Sequence, residues 1–452
     1  MNSKSIFLSD FKSTGLLALP IILGQLGHVL IGFTDTVMVG KLGVTALASI
    51  AFGNNVYSIL LVVSLGLAAA LAPMVAAKCG AKEDLQAGVI FRQAFVLFTL
   101  FGLLLSLAFY FFLPYLSVFN QEPDVTRGAY DYLFIMSFTF PFLLAYNSYK
   151  QFLEGLENSV PPMIALFTAI IANVILNWVL IFGHWGFPRL EVQGAAVASL
   201  VSRIVALLIL IFWTHLNNKY AKYQLSLAKF KIHFSVWKKI LRLGVPSAAQ
   251  YFFEVGAFSF AGIMIGWIGK EQLAAHQITL NLATFSFMVA LGWGFGSSIK
   301  IGNALGKNDY IRLKLIGQNS LISILIFMMF SGVTFISFRN QFPLLYISNS
   351  EVIKFAAQFL TVAAAFQLFD GTQATALGLL RGIQDTLIPT FITFSAYWLT
   401  AIPIGYYLTF KANFGAVGVW YGLMVGLALS SVLLSLRFKN LSNKLISNEQ
   451  RV

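Results

Sequence analysis

The chain has 452 residues, of which 58% are hydrophobic and only 10% charged, with a mean hydropathy of +0.79. A water-soluble domain carries about 25% charged residues, so this composition excludes one and describes a polytopic membrane protein. A net charge of +13 would point to nucleic acid in a soluble chain, but its distribution argues otherwise below, and the lone Cys79 excludes a disulfide framework or a multi-cysteine metal site.

Windows of about 20 apolar residues predict twelve spans. They lie near 14–40, 46–72, 90–113, 130–152, 161–183, 193–213, 240–267, 276–299, 314–337, 352–379, 387–409 and 415–437. The N-terminus has no short apolar core followed by a small-residue cleavage site, so the first span is expected to stay uncleaved. That span carries one acid in its apolar interior, Asp35, and a proline, Pro20, expected to bend it. A mid-membrane carboxylate costs about 2.5–3.5 kcal/mol on insertion scales, so it points to ion or proton chemistry, with interhelical hydrogen bonding as the plainer reading.

On the fifth span, Asn173 and Asn177 are four residues apart and share a helix face. Amide oxygens beside one carboxylate form a hard-oxygen set suited to Na⁺; the same pair serves equally as glue between helices. Ser199, on the sixth span, adds a hydroxyl or simply a small packing residue, and Arg203 on that span pairs within the bundle or snorkels. Only one connection is long, residues 214–239, and it joins two halves.

The second half repeats the first. At an offset of 226 residues Pro20 falls on Pro246, Gly40 on Gly266, Gly43 on Gly269, Asn55 on Asn281 and Gly80 on Gly306. One residue further on, Gly155 falls on Gly382 and Pro162 on Pro389. The second copy of the first span holds its own acid, Glu254, opposite His28, and the tenth span holds Asp370. Two carboxylates in one low-dielectric bundle would share a cation or a proton. Six spans per repeat is an even number, so the expected architecture is all-α, with two parallel six-helix lobes related by a pseudo-two-fold along the membrane normal. The lobes are drawn at 1–213 and 240–452, joined by a cytoplasmic linker at 214–239.

Basic residues set the orientation. Twenty-two of the thirty Lys and Arg lie on the side of the termini and the linker, among them Lys4, Lys229 and Arg451, and seven on the other. The positive-inside rule therefore puts both termini and the linker in the cytoplasm, and the net charge is a topology signal with no nucleic-acid partner implied. Enzymatic readings fare badly: the five histidines form no HExxH, there is no GxxxxGK[ST], and no polar loop cluster serves a membrane-embedded transferase. No catalytic residue is assigned, and no organic cofactor is expected.

The stretch LALPIILGQLGHVLIGFTDTVMVGKLG, its repeat partner LGVPSAAQYFF with QLAAHQI, and the paired EGLENSVPPM and RGIQDTLIP resemble the multidrug and toxic compound extrusion (MATE) transporters of the NorM type. The likeness covers nearly the whole chain. It implies an inner-membrane exporter of cationic, often aromatic compounds in exchange for Na⁺ or H⁺, expected to be a monomer in the lipid bilayer. By position it implies an N-lobe cation site at Asp35, Asn173 and Asn177, to which Ser199 is added by the residue reading above, and a C-lobe site at Glu254 and Asp370. Phe366, four residues before Asp370, stands where a hydroxylated aromatic is expected in some relatives. Flippases for polysaccharides or lipid-linked precursors, in the same superfamily, are the alternative.

Overall fold

A computed structural model describes residues 3–228 and 230–450, without the side chains of 3–6 and 28. Lys229 and Arg451, and the side chains of Lys4 and His28, therefore lie outside the described residues. The described chain is helical: α1 (Ser3–Gly40), α2 (Val44–Ala68), α3 (Leu71–Gly80), α4 (Asp84–Phe112), α5 (Pro123–Ser137), α6 (Thr139–Gly155), α7 (Val160–Phe182), α8 (Glu191–Leu216), α9 (Phe234–Gly266), α10 (Lys270–Gly306), α11 (Tyr310–Ser337), α12 (Ser350–Gly382), α13 (Leu387–Phe394), α14 (Ile402–Phe410) and α15 (Val417–Glu449). Among the described residues, eleven helical stretches are long and apolar enough to cross a membrane, and α5 with α6, bent by 43°, makes a twelfth.

All twelve spans expected from sequence are present, several of them longer than expected, and two differ in more than length. The fourth begins at Pro123, well before residue 130, because α5 and α6 together form one broken span. The eleventh, Leu387–Phe410, is interrupted by a π-helical turn, Ser395–Ala401. Pro403 follows that turn closely; it has no N–H to give and its ring crowds the preceding turn, which a widened turn accommodates. By contrast, α1 and α9 run as continuous helices through Pro20 and Pro246.

The repeat extends to the backbone. Lys82 and Asn308, 226 residues apart, both take the left-handed conformation, at φ 60° and 57°. Glu157 and Gln384, 227 apart, do the same at 59° and 62°. At each of these four helix ends a backbone bond spanning six residues closes the last turn: Glu83 to Lys78, Asp309 to Ala304, Asn158 to Leu153 and Asp385 to Leu380, all 2.9–3.0 Å. These are Schellman-type ends, which satisfy carbonyls left over when a helix stops.

Packing divides the chain into two units, Leu23–Ala248 and Met1–Ile22 with Ala249–Val452. These boundaries differ from the 213 and 240 drawn from the repeat, because a repeat follows the chain whereas a packing unit follows contacts. In one unit the first turns of α1 are held by α10 and α11: Phe11 lies on Trp293, ring centroids 5.4 Å apart, and buried Asp10 accepts from Arg312 and, at 2.7 Å, from Asn319. In the other, Ile240, Leu243 and Ala248 of α9 join a core with Leu67, Leu71, Val75 and Phe152. There Gln93, the repeat counterpart of Asn319, donates to the Lys231 carbonyl at 2.7 Å and accepts from the His233 amide at 3.1 Å. Asp10 and Glu154, at 2% exposure each, are thus as buried as the three acids singled out from sequence.

Candidate cation sites inside the two packing units

In the unit Leu23–Ala248, three helices bring the predicted polar residues together. Asp35 of α1 is 3% exposed, Asn173 and Asn177 of α7 fully buried, and Ser199 of α8 2% exposed. The Asn177 amide donates to Asp35 Oδ1 at 2.6 Å and to Asn173 Oδ1 at 3.1 Å. Ser199 donates its hydroxyl to Asp35 Oδ2 at 2.7 Å, and Asn173 donates to Ser199 at 3.4 Å. The four side chains close a ring of hydrogen bonds in which each carboxylate oxygen has one donor. The four-residue spacing of the asparagines creates this, since it places both amides on the face of α7 that meets α1 and α8.

One oxygen in the ring is not used: Asn177 Oδ1 is buried without a hydrogen-bond partner. A buried, unpaired acceptor is costly. With the Asp35 carboxylate and Asn173 Oδ1, which accept from the other branch of the same amide, it is an oxygen of the hard type that small monovalent cations prefer. Among the described residues no three His, Cys, Asp or Glu side chains converge, so a transition-metal reading has no support in this geometry.

Arg203 lies one turn beyond Ser199 on α8. It donates to the Tyr57 hydroxyl and, at 3.1 Å, to Thr139, with its guanidinium 5.2 Å from the centre of the Tyr57 ring. Tyr57 and Thr139 are themselves 2.7 Å apart, and Tyr132 donates to Asn54 at 2.9 Å. Arg203 therefore pairs within the bundle, with hydroxyls as its partners. Lys150 reaches Glu154 at 3.9 Å along α6.

In the second unit the two acids expected from sequence are Glu254 on α9, 9% exposed, and Asp370 on α12, 4% exposed. They lie within electrostatic range of one another. Sequence reasoning missed their companion. Tyr397, fully buried in the π-helical turn, accepts from the Gln373 amide at 2.8 Å and lies beside Glu254. With its oxygen occupied by Gln373, the Tyr397 proton is free for the carboxylate. Asp370 Oδ1 and Gln373 Oε1 are buried and unpartnered, again oxygens without a proton donor. Phe366 packs edge-on against Trp420 and Phe258, at 5.6 and 5.9 Å, and supplies no hydroxyl. The hydroxyl expected one turn before Asp370 comes instead from a different span. The π turn that points it there has no sequence signal beyond the proline that follows.

Both units thus define a class: a multi-span membrane protein carrying buried carboxylates beside neutral side-chain oxygens. A family model described as MatE matches residues 20–179 and 246–407, one match for each repeat, and the chain belongs to that family, whose members are transporters and not enzymes. It is 33% identical over 440 residues to the probable multidrug resistance protein NorM of Rhizobium meliloti (strain 1021), covering 95% of this chain and 93% of that one. It is 29% identical over 427 residues to the multidrug resistance protein NorM of Photobacterium profundum, covering 94% of each. Among solved structures, the eukaryotic MATE transporter AtDTX14 matches with a TM-score of 0.86 at 22% identity, over 98% of this chain and 99% of that one. A MATE protein in its bent conformation matches with a TM-score of 0.89 at 18% identity, over 99% of both.

Proposed function

We propose that the chain exports lipophilic organic cations from the cytoplasm in exchange for Na⁺, with protons able to compete at the same carboxylates. The observation that carries this reading is the hydrogen-bonded ring at Asp35, in which Asn177 Oδ1 stays unpaired while the other branch of its amide donates to the carboxylate and to a second amide oxygen. A proton would need the carboxylate alone; the neutral oxygens suit a metal cation. Glu254, Asp370, Tyr397 and Gln373 form a second oxygen-rich locus with the same logic. The relatives named as multidrug resistance proteins support the substrate class. Exposed aromatic side chains on the spans are available to stack on a flat cation.

The coupling follows from desolvation. Charged Asp35 in a low-dielectric bundle is costly, and a bound cation removes much of that cost, so ion binding favours the state in which the acid is sealed from water. An ion shifts the equilibrium only by its differential affinity for the two states. The carboxylates are the groups whose surroundings must change between those states, and the long helices α1 and α9 carry Asp35 and Glu254. In this reading two six-helix lobes alternate access in the inner membrane, with both termini and the linker cytoplasmic, and the protein works as a monomer in the bilayer. No organic cofactor takes part.

The test is ethidium efflux from proteoliposomes under an imposed Na⁺ gradient at fixed pH, and then under a pH gradient without Na⁺. Na⁺-driven efflux that is lost in Asn173→Ala and Asn177→Ala is the expected result. Efflux driven by the pH gradient alone, undiminished in those variants, would overturn the Na⁺ assignment. Unchanged ethidium with movement of a lipid-linked precursor would favour a flippase.

A further inference from the structure

Arg381, near the C-terminal end of α12, is a cation at 5% exposure. A charge buried that deeply normally ends on a carboxylate. Among the described residues no acid lies within 4.0 Å of it. The guanidinium instead lies over two aromatic rings, 5.8 Å from the centre of Tyr251 and 5.5 Å from that of Phe295, and its Nε has no hydrogen-bond partner. Tight helix packing builds this seat: a Cβ on Gly378 would come within 2.3 Å of the Gly294 carbonyl oxygen, so α10 and α12 touch backbone to backbone one residue before Phe295.

The same pocket holds the acid. Glu254, Gln250, Tyr251, Phe295 and Arg381 line one cavity of about 10 Å³, room for a single water-sized occupant. The charged and titratable groups that act on Glu254 are Arg381 and Asp370 from α12, Tyr251 from α9 and Tyr397 from the π turn. The α10 wall of the pocket is apolar, with Phe287, Leu291 and Phe295. Arg381 is therefore the one group there that can lend positive charge. The unit Leu23–Ala248 builds the same chemistry from unrelated positions: Arg203, near the Asp35 ring, also rests on a tyrosine and hydroxyls, with no carboxylate within 4.0 Å among the described residues. The repeat offsets carry Arg203 to Leu429 and Arg381 back to Glu154, so the recurrence is not inherited from the duplication.

We propose that Arg381 is a resident counter-cation that competes with the coupling ion at Glu254. With the ion bound, the guanidinium is parked on Tyr251 and Phe295. When the ion leaves, it turns off the rings toward Glu254, which lines the same pocket, and neutralises charge that low dielectric would otherwise leave uncompensated. Competition of this kind lowers the apparent affinity for the ion and lets it be released. The inference rests on the reading that Glu254 and Asp370 bind the coupling ion.

The experiment uses the full-length protein in proteoliposomes, with ethidium efflux followed against Na⁺ concentration at fixed pH. Arg381→Gln removes the competitor, so the half-saturating Na⁺ concentration falls about tenfold, with a lower maximal rate as release slows. Arg381→Lys keeps the charge and stays close to the parent. Phe295→Leu takes away one parking ring, so half-saturation moves the opposite way; that variant decides alone where Arg381→Gln does not elute as a monodisperse protein. Where only a pH gradient drives efflux, the same variants are read against proton concentration with the same signs. An unchanged or raised half-saturation in Arg381→Gln, or a lowered one in Phe295→Leu, overturns the proposal. Glu254→Gln and Asp370→Asn separate it from the reading beneath: if they leave ion dependence intact, the assignment of the ion site has failed, whatever Arg381 does.

Discussion

Replacing Asn177 by alanine tests the ring at Asp35 most directly, because one side chain makes two of its bonds and owns its unpaired oxygen. The substitution removes the 2.6 Å donor to Asp35 Oδ1, the 3.1 Å donor to Asn173 Oδ1 and the free Asn177 Oδ1. A hydrogen bond to a charged group contributes about 1.5–3 kcal/mol. At about 1.4 kcal/mol per tenfold, losing the ligand oxygen raises the half-saturating Na⁺ concentration about tenfold; the lost donor, which stabilises the empty carboxylate, works against that rise and does not add to it. Efflux driven by a pH gradient needs Asp35 alone and persists. Both rates are measured on ethidium-loaded proteoliposomes with protein amount equalised by fluorescence size exclusion. An unchanged Na⁺ half-saturation, or an equal loss under both gradients in well-folded protein, refutes the reasoning that the amides form an ion cage.

Tyr397→Phe keeps the ring and removes the hydroxyl that Gln373 donates to and that faces Glu254, so the empty carboxylate is less stabilised and Na⁺ half-saturation falls severalfold while the melting temperature in detergent changes little; a large melting loss with no change in half-saturation would make Tyr397 purely structural. Asp10→Ala leaves Arg312 and Asn319 without their acceptor; allowing for solvent screening at the 39% exposed Arg312 side chain, it costs about 1–3 kcal/mol, read as a lower melting temperature, and Asn319→Ala costs less. Gly378→Ala forces a methyl against the Gly294 carbonyl and separates α10 from α12, costing about 1–3 kcal/mol; a melt within error of the parent would mean that the helices yield. Single cysteines at Lys41 and Lys411 are labelled by an impermeant reagent from outside the cell, and one at Lys219 only from inside; reversed labelling would overturn the orientation drawn from basic residues.

Much of this protein was legible along the chain. Span number follows from runs of apolar residues long enough for a bilayer, and the duplication from prolines and glycines recurring at one offset, since both are local properties of the sequence. Asp35, Glu254 and Asp370 stand out because lipid makes a carboxylate expensive wherever it occurs. The face shared by Asn173 and Asn177 needed only helical periodicity. Tertiary structure decided what those residues touch. Ser199 could be a packing residue or a ligand until α8 was seen to carry its hydroxyl to 2.7 Å from Asp35. Tyr397, one of sixteen tyrosines, joins Glu254 only because a π-helical turn re-aims it. Asp10, at a span end, reads as solvated until Arg312 and Asn319, about three hundred residues away, are found to bury it. The first turns of α1 and α9 likewise pack outside the repeats they begin. Composition and periodicity report the solvent a residue must meet, and the repeat reports descent. Which partner satisfies a buried charge depends on how distant helices cross, and that is set by the packing of the whole unit.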